Sequence, residues 1–169
     1  GDSRMLERFY PNMQKWIGFA ESNYDEKGLL KDWGVNEHRH WYLGDWATPV
    51  GIEQRDSLSV DLVSNCVMSY SYGLMAKIAS VLGKVQDAEE YIRRKDFHNG
   101  LIHANFFDED ASLYSTGTQI DMIYPMLVGA TPDSRVKDVR EALFRETADR
   151  FNGHLSTGLV GVPVITQWV

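Results

Sequence analysis

Apolar positions recur along most of this chain with a helical period, and two kinds of helical stretch alternate. The first runs from about residue 3 to Glu21, with Met5, Phe9, Met13, Trp16 and Ile17 on one face. Asp2 or Ser3 can cap it, and Pro11 is expected to kink or restart it. A long loop of about 22–57 follows. The next stretch, about 58–82, is apolar on nearly every side (Leu62, Val63, Cys66, Val67 and Met68 among others), which predicts burial on more than one face. Gly83 closes it. The stretch of about 85–105 carries Asp87, Glu89, Glu90, Arg93, Arg94, Lys95 and Asp96, so one face should meet water.

The alternation then repeats. A loop at 107–117 leads to a short apolar helix of about 118–128. Gly129-Ala130-Thr131-Pro132 breaks it, with Thr131 as the next cap and Pro132 as the first helical residue. A charged helix of about 132–151 and a loop at 152–161 lead to a last apolar stretch with Pro163 in its first turn. That stretch stops without a cap or polar tail, so the sequence reads as a piece of a longer chain. No strand of any length is expected.

Buried helices alternating with charged ones predict an all-α, two-layer arrangement, inner helices lining an axis and outer helices covering them. Antiparallel neighbours then place the loops 22–57, 107–117 and 152–161 on one rim. The short turns at Gly83-Lys84 and Gly129-Ala130-Thr131 lie on the other. Function sits preferentially on long loops carried by a rigid scaffold.

Composition narrows the field. The chain has 169 residues, which fits one domain, and 43% are hydrophobic, enough for a core. A net charge of −7 argues against nucleic acid or an anionic membrane as partner, since both demand clustered Lys and Arg. The single cysteine, Cys66, excludes a disulfide framework and reads as a buried, inert thiol. There is no signal peptide and no membrane-spanning run, and the compartment stays undecided.

Three rim motifs carry candidate chemistry: Gly44-Asp45-Trp46, Ser115-Thr116-Gly117-Thr118-Gln119 and Gly153-His154-Leu155-Ser156-Thr157-Gly158. An indole beside a carboxylate can hold a sugar, the ring against its C–H face and the carboxylate on its hydroxyls. The same aromatics can equally anchor a long loop on the core, and Thr118, Ser156 and Thr157 can be caps and turn residues. Asp61 and Asp121 sit in the first turns of inner helices, where the dipole favours a carboxylate, or else face the cleft. His38 and His40 form a His-x-His pair without a third ligand at sensible spacing, so no metal is assigned. Asp108-Glu109-Asp110 lacks calcium-loop spacing and reads as a solvated turn. His98 and His103 read as surface or helix-end residues. There is no phosphate-binding glycine loop, dinucleotide fingerprint or nucleophile elbow, and no cofactor is assigned.

Several segments occur in a telling order: Tyr10-Pro11-Asn12-Met13-Gln14-Lys15-Trp16, Gly44-Asp45-Trp46-Ala47-Thr48-Pro49, Met75 to Lys84 with Asp87-Ala88 and Tyr91, Gly117-Thr118-Gln119, and Gly153 to Pro163. Together they resemble the catalytic domain of bacterial α-L-rhamnosidases of glycoside hydrolase family 78, over nearly the whole chain. The resemblance implies an (α/α)6 toroid of twelve helices. This chain, as one domain over 1–169, would supply about six of them, roughly half of that catalytic domain. It also implies an inverting hydrolase acting on terminal α-L-rhamnosyl groups, with an acid and a base roughly 6.5–9.5 Å apart to admit a water. In the family these carboxyl groups lie in segments before and after the matched region, so no catalytic residue is assigned here and the chain alone is expected to be inactive.

The candidate substrate-binding set is Asp45, Trp46, His154, Trp41, Gln119 and Thr157. The resemblance carries Asp45 and Trp46, with the His154 loop as a cleft wall. The His- and Tyr-rich lead-in from His38 to Tyr42 departs from the family pattern. The implied partner is a rhamnoside, and exposed inner helices would favour a homodimer. Two other readings stay open: an (α/α)6 glycosidase for a different sugar, and a non-catalytic helical scaffold or carbohydrate-binding domain.

Overall fold

A computed structural model describes residues 2–31, 43–49 and 57–169. Six α-helices dominate: α1 (Arg4–Glu21), α2 (Ser57–Val81), α3 (Val85–Phe106), α4 (Gln119–Val128), α5 (Asp133–Arg145) and α6 (Gly161–Trp168). The apolar helices α2 and α4 pack side by side, and α6 packs on α4. The charged helices cover them, α1 and α3 against α2, and α5 against α4. This is the alternation the hydrophobic pattern predicts, and within it α4 is buried along most of its length.

The core falls into two clusters joined by α2. One gathers Leu62, Val63 and Cys66 with Ile102, Met122, Val139 and Val164. The other gathers Met68, Met75 and Ala79 with Tyr10, Ile17 and Tyr91. Cys66 is fully buried, and burial pushes its thiol pKa up, which keeps it protonated and unreactive.

Several expectations are corrected. Helix α1 runs through Pro11 as one 18-residue element and does not restart there, with Pro11 on its exposed side. Its buried face is Tyr10, Ile17 and Ala20, whereas Met5, Phe9 and Trp16 remain exposed. The Ser3 hydroxyl makes no cap bond and donates instead to Glu7, one turn on. The loop after α3 holds a small antiparallel hairpin, β1 (Phe107–Asp108) with β2 (Leu113–Tyr114), where no strand was expected. The helix after Thr131 starts at Asp133, with Pro132 flanking it, and gives way to a π-helical turn at Glu146–Arg150.

His98 is the largest departure. It is 2% exposed, stacked on Tyr24 with ring centroids 5.4 Å apart and edge-on to Tyr72 at 5.9 Å. Desolvation lowers its pKa to about 4, against an opposing hydrogen bond with the Asn65 backbone. His103 does lie in the last turn of α3, where its Nδ1 is 2.8 Å from the Tyr114 hydroxyl.

Large apolar side chains that stay exposed are chiefly on the outer helices: Phe19 on α1, Ile92 and Phe97 on α3, and Phe144 on α5. Among inner helices, Leu58, Leu74 and Val81 of α2 and Val162 of α6 are exposed. No helix among the described residues is long and apolar enough to cross a membrane.

Candidate functional site

The α2, α4 and α6 N-termini point to one rim, and three polar centres tie the loops there together. The first is Asp45. Its Oδ2 accepts from the Gly158 N–H at 2.7 Å, and its Oδ1 accepts from the N–H groups of Val160 at 3.1 Å and Gly161 at 2.8 Å. The Val160 and Gly161 N–H groups open α6, so a carboxylate from more than a hundred residues away caps that helix. The Leu159 N–H donates to the Trp46 carbonyl at 2.8 Å, which closes the contact between the two loops.

This approach needs glycine. A Cβ on Gly158 would overlap the Trp46 carbonyl oxygen. A Cβ on Gly161 would overlap Thr157 and stand 2.9 Å from Asp45 Oδ2. On the other side of the loop, Gly44 (φ 60°) lies so close to Val60 that a Cβ would meet its Cα at 3.0 Å. Ala47 also takes a left-handed φ of 61°, unusual for a residue with a side chain. Trp46 is thus held between two left-handed residues, with its side chain half-buried.

The second centre is Gln119, which is 1% exposed. Its Nε2 donates to the His154 carbonyl and its Oε1 accepts from the Ser156 N–H, each at 3.0 Å. The loop is therefore clamped at 154–156 by Gln119 and at 158–161 by Asp45. His154 itself is exposed, while Ser156 and Thr157 are buried with hydroxyls that meet no partner among the described residues.

The third centre is Asp121, fully buried in the first turn of α4. It accepts from the Ser59 hydroxyl at 2.6 Å and from the Thr116 hydroxyl at 2.7 Å and N–H at 3.2 Å. Burial raises its pKa despite these opposing bonds. Thr118 caps α4 as expected, its hydroxyl accepting from the Asp121 N–H. Asp61, the other helix-start carboxylate, pairs with Lys31 at 2.6 Å. Beside that pair, the buried Asn65 amide bonds both the N–H and the carbonyl of Leu30.

The rim therefore gathers Asp45, Trp46, Gln119, His154 and Thr157 from the candidate set. Trp41, with the His38 and His40 pair, lies outside the described residues. The carboxylate and amide expected to meet a ligand are engaged by backbone groups, and His154 and the half-buried Trp46 keep exposed surface. Sequence reasoning missed Ser59 and Thr116 as partners of Asp121. It also missed the steric role of Gly158 and Gly161, for which two glycines at a loop-to-helix junction were the available signal. Among the described residues no group of three or more His, Cys, Asp or Glu is placed to hold a metal.

Comparisons with known proteins fit this architecture. The chain is 27% identical to an alpha-L-rhamnosidase of Alteromonas sp. (strain LOR), over 99% of its own length and 18% of the relative's. It is 25% identical to an alpha-L-rhamnosidase of Formosa agariphila, covering 17% of that protein. It thus spans under a fifth of the length of these relatives. The solved alpha-L-rhamnosidase of Dictyoglumus thermophilum superposes with a TM-score of 0.82 at 24% identity, over 99% of this chain and 19% of that one. That of Streptomyces avermitilis, in complex with L-rhamnose, superposes with a TM-score of 0.76 at 22% identity, over 98% and 15%. The fold is accordingly all-α, part of an (α/α)6 toroid with inner and outer helices alternating. Because the family model described as the bacterial alpha-L-rhamnosidase six-hairpin glycosidase domain matches residues 1–169, this chain belongs to that family.

Proposed function

We propose that this chain is a segment, about half, of the catalytic toroid of an inverting α-L-rhamnosidase, and that its long-loop rim forms part of the rhamnose cleft. The observation that carries the reading is the convergence of all three rim motifs on one face by cross-loop hydrogen bonds. Trp46 offers the flat apolar surface for the sugar's C–H face, and the exposed His154 offers a polar group at the cleft wall. Asp45, Gln119 and Thr157 complete the wall, and Trp41 is retained as a candidate on the approach to it. The acid and the base belong to segments outside these 169 residues.

The test is turnover. The full-length protein should hydrolyse an aryl α-L-rhamnoside with inversion at the anomeric carbon, and the 169-residue chain should not. Hydrolysis of another glycoside alone would move the assignment to a different (α/α)6 glycosidase. Sugar binding without any hydrolysis would favour a binding domain. Exposed Leu58, Leu74 and Val162 on the inner helices support self-association of the isolated chain as a homodimer, which light scattering reads directly.

A further inference from the structure

We infer that Asp45 is a positioning residue: it acts on the sugar through Trp46, by locking the Trp46 loop to the start of α6. The inference rests on the rhamnose-cleft reading above and concerns how that cleft is built. Three observations carry it. Both Asp45 oxygens are engaged by N–H groups of Gly158, Val160 and Gly161. A carboxylate has about four acceptor positions, so at most about one remains for any ligand. The loop it holds is conformationally costly at Ala47, which takes a left-handed φ directly after Trp46. Finally, the residue it precedes is tied to the same partner strand of chain, since Leu159 donates to the Trp46 carbonyl. A loop held in an unfavourable conformation from three directions is a loop whose side-chain placement matters, and the side chain so placed is an indole.

The experiment separates a ligand from a clamp without touching Asp45. Val160→Pro deletes one of the three donors. Proline suits this position because the Val160 φ is −81° and the residue flanks the start of α6. In the full-length protein, Asp45→Ala should raise KM for an aryl α-L-rhamnoside about tenfold and Val160→Pro about threefold, within the net range of ordinary hydrogen bonds. The double variant should match Asp45→Ala alone, because both changes remove one interaction. Asp45→Asn, which keeps a carbonyl acceptor, should recover part of the loss. The pH profile should keep its limbs in every variant.

Two results would overturn the inference. One is a raised KM in Asp45→Ala with Val160→Pro unchanged, or effects that multiply, because Asp45 would then meet the sugar directly. The other is a lowered Tm with kcat and KM of the folded protein unchanged, a purely structural role. If the wild-type protein turns over no rhamnoside, the cleft reading fails separately. The clamp is then read from the fluorine resonance of 5-fluorotryptophan at position 46, which Val160→Pro must shift. An unmoved resonance overturns the inference in that case too.

Discussion

The two ends of this helical assembly are built by different means. At the short-turn end, each connection is closed first by its own backbone. Gly83 and Gly129 take left-handed φ values of 69° and 80° and end their helices. Lys95 and Asn99 of α3 then cover the Val128 carbonyl at the end of α4. At the long-loop end, side chains far apart in sequence tie the helix starts and their loops together: Asp45 on the start of α6, Gln119 of α4 on the loop at 154–156, and Ser59 of α2 on Asp121 of α4, with Thr116 as a near neighbour. The first end holds turns in place and the second holds loops against one another. Distant polar ties stiffen loops that local geometry would leave loose, which is what a pre-organised binding face demands.

The contrast can be broken by substitution. Gly158→Ala should do the most damage, because its Cβ overlaps the Trp46 carbonyl and displaces the Asp45 bonds as well. A loss of about 3 kcal/mol, the strong end for overpacking, should appear in chemical denaturation. An unchanged midpoint would mean that the loops do not meet as described.

Acid should act next, through the interior between the two ends. With a pKa of about 4 when folded against 6.5 when free, His98 takes up its proton on unfolding anywhere between these values. Stability should therefore fall as pH drops below about 6.5, and the loss should be complete below about pH 4, on the order of 3 kcal/mol. His98→Phe should flatten that slope in denaturation curves taken across the same window.

Asp121→Ala should cost about 2 kcal/mol, since it empties a fully buried position and takes the acceptor from the half-buried Ser59 hydroxyl and from Thr116. Lys95→Met at the opposite end should cost under about 1 kcal/mol, because it removes one partly exposed contact to a helix C-terminus and Asn99 still holds that carbonyl. Equal losses from the two would erase the distinction between the ends.

The same distinction explains what could be read from the sequence. The helices, Thr118 as a cap and Gly83 and Gly129 as stops are local features, and their periodicity and turn chemistry announce them. The rim's membership also followed from counting antiparallel helices. What Asp45 bonds did not follow, because its partners lie 113 to 116 residues on and an acidic cap carries no address. His98 was misplaced for a related reason. The charges of α3 mark its wet face clearly, yet His98, Asn99 and Ile102 turn inward on the other side, where Tyr24 arrives from the loop after α1. The hairpin at Phe107 and Leu113 is too short to leave a periodic signal.

The central claim is that the long-loop rim holds the sugar through Trp46. Calorimetric titration of the full-length protein with L-rhamnose, wild type against Trp46→Ala, tests it most directly. The account predicts binding by the wild type and affinity about tenfold weaker in the variant, the upper end for an aromatic contact. Equal affinity in the two proteins, with the variant folded, would contradict it.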